Sequence, residues 1–167
     1  MMNMGFKETY NAIKEDIKNG EKNFNITCEM LPEGQQTKLI FGNPPIEWLL
    51  DAPPGLGGTD KGPSPLLAIL ASIGGCIIAV IRFWAEIMDI KIESLTVNSR
   101  GHINLGGIFG IGDKLPGYDK LEPVIRIKAD APKEKVQELV DTALAHCPVI
   151  TNFKGATPIT PKVQIRE

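Results

Sequence analysis

Pro53-Pro54-Gly55-Leu56-Gly57-Gly58-Thr59-Asp60-Lys61-Gly62-Pro63-Ser64-Pro65-Leu66-Leu67 reads as a loop that turns into a helix, and Leu70-Ala71-Ser72-Ile73-Gly74-Gly75-Cys76 carries that helix onward. Ser64 suits the N-cap and Pro65 the first helical position, where a missing N–H breaks no helical bond. Leu66–Ile81 is apolar except for Ser72. A helix over 64–88, apolar on nearly every side through its first four turns, is expected to be buried all round, the spine of a core. The apolar run is 16 residues long and is followed by Arg82 and Glu86. A bilayer-spanning helix needs about 18 or more, so a core helix and no membrane are expected.

Before this stretch, Phe6, Tyr10, Ile13 and Ile17 recur at helical spacing up to Gly20, an amphipathic helix within residues 1–20. Phe24–Cys28, Lys38–Phe41 and Ile46–Leu50 read as strands. Turn chemistry at Pro32-Glu33-Gly34 and Gly42-Asn43-Pro44-Pro45 joins them into an antiparallel meander. After the long helix, Leu95 and Val97 begin a strand that continues through Ile103, and 105–119 is a glycine-rich loop. Ile125, Ile127 and Ala129 alternate with Arg126, Lys128 and Asp130, a half-buried strand. Pro132 opens a second helix over 132–147, whose Val136, Leu139, Val140, Ala143, Leu144 and Cys147 form one apolar stripe. Pro148 is expected to stop it, and Val163-Gln164-Ile165 to add a closing strand. Strands, long helix, strands, helix, strand is an α+β order.

The chain has 167 residues, with 18 Lys+Arg against 20 Asp+Glu. That length suits one domain with an adequate core. Near-neutral charge and the absence of like-charge blocks exclude a protein held to nucleic acid by phosphate neutralisation. Met1-Met2-Asn3-Met4-Gly5-Phe6-Lys7 lacks the parts of a secretory signal, so a cytoplasmic chain with three reduced cysteines is expected.

Few motifs carry chemistry. Gly57–Gly62 lacks the Lys-Ser/Thr step of a phosphate loop, and Pro63 and Pro65 remove backbone donors. Gly107–Gly112 is not a dinucleotide fingerprint. His102 and His146 are the only histidines and have no ligand spacing, so no metal and no cofactor are expected. No GxSxG elbow appears. The cysteines are more informative. Gly74-Gly75 strip side chains from the helix beside Cys76, which serves either close helix packing or a slot for a small molecule. Cys147 lies on the apolar face at the end of its helix, so two helices sharing one core can bring these thiols together. Cys28, on a strand, has no such setting.

The run Pro53–Leu67 with Leu70–Cys76 resembles the first signature of the OsmC/Ohr superfamily, and Ala145-His146-Cys147-Pro148-Val149 resembles its Cys-Pro motif. The resemblance covers residues 22–167 and makes 1–167 a single OsmC-like domain. It implies curved antiparallel sheets around a long buried central helix in an intertwined homodimer. It also implies a thiol-dependent peroxidase of oxidative-stress defence, reducing organic hydroperoxides. Cys76 would be the peroxidatic thiol and Cys147 the resolving one, with Ser72 and Gly75 beside the substrate and a dithiol reductant as partner. Active relatives hold the thiolate with an early-strand Arg steadied by a Glu at the helix start. Here no Arg precedes Arg82, and Leu66 and Leu67 stand at the helix start. Arg82, about 240° around the helix from Cys76, faces away. Lys61, Arg100, His102, His146 or a partner copy are the candidate cations, and Ser72 a candidate donor. At a helix C-terminus, Cys147 is expected to be disfavoured as thiolate. The alternative is a non-peroxidatic relative that binds a small apolar or electrophilic molecule near Cys76 at the dimer interface.

Overall fold

The computed structural model describes residues 5–155 and 157–165, so positions 1–4 of the expected first segment lie outside the described residues. Helix α1, Phe6–Glu15, starts where the Glu8 carboxylate accepts the Gly5 N–H at 3.0 Å. Asp16 ends it, and its own carboxylate caps a short 3-10 turn, Ile17–Gly20, through the Lys18 N–H. No residue of α1 is buried.

Strands β1 (Thr27–Met30), β2 (Thr37–Phe41) and β3 (Ile46–Leu50) form the antiparallel meander in that order. β1 starts three residues later than its sequence pattern suggests, because Thr27 already pairs with Ile40 near the end of β2. Residues before Thr27 have little of β2 left to bond. Leu39 faces Trp48, and the Phe41 and Trp48 rings meet edge to face at 5.2 Å.

The glycine-rich stretch after β3 is a strapped loop. Asp51 is fully buried, and its carboxylate accepts the N–H groups of Ala52, Thr59 and Lys61 and the Thr59 hydroxyl, at 2.7–3.1 Å. These bonds hold its pKa at about 2, the Thr59 hydroxyl contributing most. Gln36 reaches Thr59 at 2.9 Å, and Lys61 pairs with Glu33 at 3.0 Å. A side chain at Gly58 would overlap the Ala52 carbonyl, and one at Gly62 would sit 2.6 Å from that of Leu49. The glycines thus serve the crossing of two backbones.

Helix α2, Pro65–Ile87, follows, with the Ser64 hydroxyl accepting the Leu67 N–H. Its burial differs from the expectation. Ile73, Gly74, Ile77, Val80, Ile81 and Ala85 are buried, whereas Leu67 stays 55% exposed. A 23-residue helix has more apolar surface than one small chain covers, and its apolar stretch is only 28% buried. By length and composition alone α2 is long and apolar enough to cross a bilayer, the only such helix among the described residues.

β4 (Ile92–Ile103) and β5 (Tyr118–Ala129) form a two-stranded sheet. β5 begins well before Ile125. Pro123 breaks its pattern, yet a two-stranded sheet consists only of edges, where proline is tolerated. Helix α3, Lys133–Ala145, buries Leu139 and Ala143 as its stripe predicts. A fourth helix, α4, then runs over Pro148–Lys154. Pro148 therefore ends one helix and opens the next, as proline at a first helical position can. Val163–Ile165 forms no strand, and Val163 and Ile165 are 82% and 90% exposed. An alternating segment becomes a strand only where a sheet edge receives it.

Two compact units result. One gathers the described residues up to Ser72 with Asn98–Val124, the other Ile73–Val97 with the described residues from Ile125 onward.

Candidate active site

Within the second unit, α2 carries Cys76 in its middle turns and the junction of α3 and α4 carries Cys147. The Cys147 and Cys76 sulfurs lie 3.3 Å apart, within thiol hydrogen-bond range. Cys147 is completely buried and Cys76 partly so. Cys28 is exposed on β1, in the other unit. The pairing has a local cause. The α3 stripe Leu139–Ala143–Cys147 points one face inward, and the α2 stripe Ile73–Ile77–Val80 does the same on either side of Cys76.

The junction corrects the expectation for Cys147. His146, not Cys147, caps the C-terminus of α3, and Cys147 is the N-cap residue of α4. The thiol therefore lies between the end of one helix and the start of the next. The same start turns a backbone donor toward the partner thiol. The Val149 N–H hydrogen-bonds Cys76 and favours its thiolate. Burial outweighs it and, with the Cys147 thiol, pushes the Cys76 pKa up. No cation among the described residues figures in that balance.

The candidate cations are engaged elsewhere. Lys61 pairs with Glu33, the Arg100 Nε donates to Asn98 at 3.0 Å, and His102 Nδ1 meets Asp119 at 2.7 Å, all in the first unit. His146 alone of them belongs to the second unit. Its Nδ1–H donates to the Thr142 carbonyl at 2.8 Å, and its ring packs on Trp84 at 4.9 Å. The Ser72 hydroxyl donates to the Ala68 carbonyl of its own helix at 2.8 Å. Gly75 is exposed, and a Cβ built there meets nothing within 4 Å, which leaves open space one residue from Cys76. No cluster of potential metal ligands occurs among the described residues.

Chemically, two adjacent thiols can exchange two electrons as a disulfide, with open space beside the more accessible one. Asp51, Trp84 and the Val149 N–H escaped the sequence reading. A proline that can open a helix was the one signal for Val149, and a lone loop acid gave none for Asp51.

Comparison with known proteins supplies the family. The family model described as OsmC-like protein matches residues 58–162. No curated protein sequence matches the chain. Among solved structures, an OsmC-like protein from Mycoplasma pneumoniae is 22% identical, with a TM-score of 0.70 over 82% of this chain and 91% of its own. An organic hydroperoxide resistance protein from Elizabethkingia anophelis, crystallised with thiocyanate bound, is 20% identical, with a TM-score of 0.60 over 81% and 91%. An organic hydroperoxide resistance protein OsmC from Legionella pneumophila is 18% identical, with a TM-score of 0.57 over 80% and 90%. These likenesses establish a shared α+β fold.

Proposed function

This chain belongs to the OsmC-like proteins, and we propose that it is a thiol-dependent peroxidase acting on small organic hydroperoxides through Cys76 and Cys147. The observation that carries the reading is the 3.3 Å approach of the two sulfurs. The Cys76 thiolate attacks the outer peroxide oxygen, the O–O bond breaks, and the alcohol leaves after taking a proton. Cys76 becomes a sulfenic acid. The Cys147 thiol then attacks that sulfur and expels water, leaving a Cys76–Cys147 disulfide. A dithiol reductant returns two electrons and two protons. The Val149 N–H takes over part of the thiolate support that an Arg provides in active relatives. The open space at Gly75, in the apolar turns of α2, suits an organic rather than a hydrophilic peroxide.

A second copy of the chain fits the same reading. Leu67 on α2 and Met30, Ile46 and Trp48 on the meander are exposed apolar side chains, each at least 53% accessible. Surface of this kind is covered in an assembly. A homodimer accounts for it without a membrane.

One observation favours a second reading, a non-peroxidatic binder of a small apolar or electrophilic molecule: no cation among the described residues offsets the burial of Cys76. Treating the reduced protein with stoichiometric cumene hydroperoxide and mapping peptides by mass spectrometry separates the two. The expected result is a Cys76–Cys147 crosslink within seconds, with Cys28 free. Thiols that stay free for many minutes overturn the peroxidase and leave the binder.

A further inference from the structure

We propose that His146 and Trp84 are a positioning pair that holds Cys147 against Cys76. The inference deepens the reading of the two cysteines as a redox pair and rests on it. Cys76 and Trp84 are eight residues apart on α2, which is two turns and about 80° of rotation, so both face the same side of the helix. Cys147 and His146 are adjacent in the chain. The sulfur contact at 3.3 Å and the ring contact at 4.9 Å are therefore two successive ties between one side of α2 and one junction. A thiol-to-thiol hydrogen bond is too weak to fix the register of a junction between helices. The ring pair is better suited to it. A flat imidazole on a flat indole limits both distance and tilt, here 45° between planes.

The other side of the imidazole is tied as well. Its Nδ1–H donates to the Thr142 carbonyl in the last turn of α3. His146 thereby couples the end of α3 to α2, and Cys147 follows from its place in the chain. The tautomer that donates from Nδ1 leaves Nε2 without a proton, unless the ring is charged.

The test is thiol–disulfide equilibrium in the full-length protein carrying Cys28→Ser, poised in glutathione buffers. Two protein thiols give two electrons and two protons to oxidised glutathione, which becomes two reduced molecules. The disulfide fraction, read by mass spectrometry, reports how well the thiols are held together. His146→Ala and Trp84→Leu are each expected to shift the equilibrium about tenfold toward the dithiol, within the reach of one aromatic pair. The double variant should shift it no further, because one contact is lost either way. His146→Phe, which keeps a ring on Trp84, should recover most of the loss. General damage to the fold would instead add across the two sites and would not be rescued by Phe. Wild-type equilibrium in the single variants, additive shifts, or a parent pair that stays reduced would each overturn the proposal. The cumene hydroperoxide reaction is separate. If peroxide leaves the parent thiols free while the glutathione equilibrium moves as described, the positioning stands and the peroxidase falls.

Discussion

At Cys76, burial and the Cys147 thiol act against ionisation while the Val149 N–H acts for it, and the balance lies above an ordinary thiol. Near pH 7 the residue is therefore a thiol, and its nucleophilicity should follow hydroxide. Alkylation of Cys76 by iodoacetamide, followed by peptide mass spectrometry, is expected to keep accelerating as pH rises from 7 to 9. Cys147→Ala removes two of the influences that raise the pKa and should speed the reaction at pH 7.5. The gain will be partial, because burial is the largest influence and remains. An unchanged or slower rate in that variant would contradict the balance described. The apolar stripe that carries Cys147 was legible in the sequence, since it needs only local periodicity. The Val149 N–H was not, because a backbone donor has no side-chain signature and its direction depends on where α4 begins.

The strapped loop between β3 and α2 is the element most dependent on a single side chain. Asp51 has its pKa lowered from 3.8 to about 2 by the four hydrogen bonds it accepts. A carboxylate depressed in the folded state contributes stability that is fully present above its unfolded value and is lost as pH falls through the folded one. The thermal midpoint is thus expected to drop between pH 4 and pH 2, on the acid side of any histidine effect. Asp51→Asn should lower the midpoint by roughly 5–10 °C at pH 7 and flatten that acid drop, measured by calorimetry. A full acid drop in the variant would assign it to other carboxylates. The start of α2 was readable at this scale, because Ser64-Pro65 specifies a helix start locally. The α3–α4 break was not, because Pro148 reads equally well as an end or a beginning. The closing strand at 163–165 failed for another reason: alternation states a preference for an edge without supplying one.

For the whole molecule, the family was legible from two motifs and the α+β class from the order of strands and helices, whereas the one-sided burial of α2 was not, because composition does not say what covers an apolar face. A homodimer makes a specific demand on solution size. Sedimentation of the wild type should report about twice 18.2 kDa. Leu67→Glu, at a position 55% exposed in the single chain, should move the distribution toward the single-chain mass with little change in circular dichroism. A wild type that sediments at the single-chain mass would leave that side of α2 to a different partner.

The strapped loop also governs where the chain can be cut. Lys61–Gly62 is a tryptic bond in sequence, but a protease must draw several residues into an extended, accessible path to cleave it. Here the Lys61 N–H is held by Asp51, the Lys61 ammonium by Glu33, and Gly62 is pressed close to the Leu49 carbonyl. The bond is closed for as long as the carboxylate of Asp51 keeps its charge, so its opening marks the moment the entry to α2 comes undone.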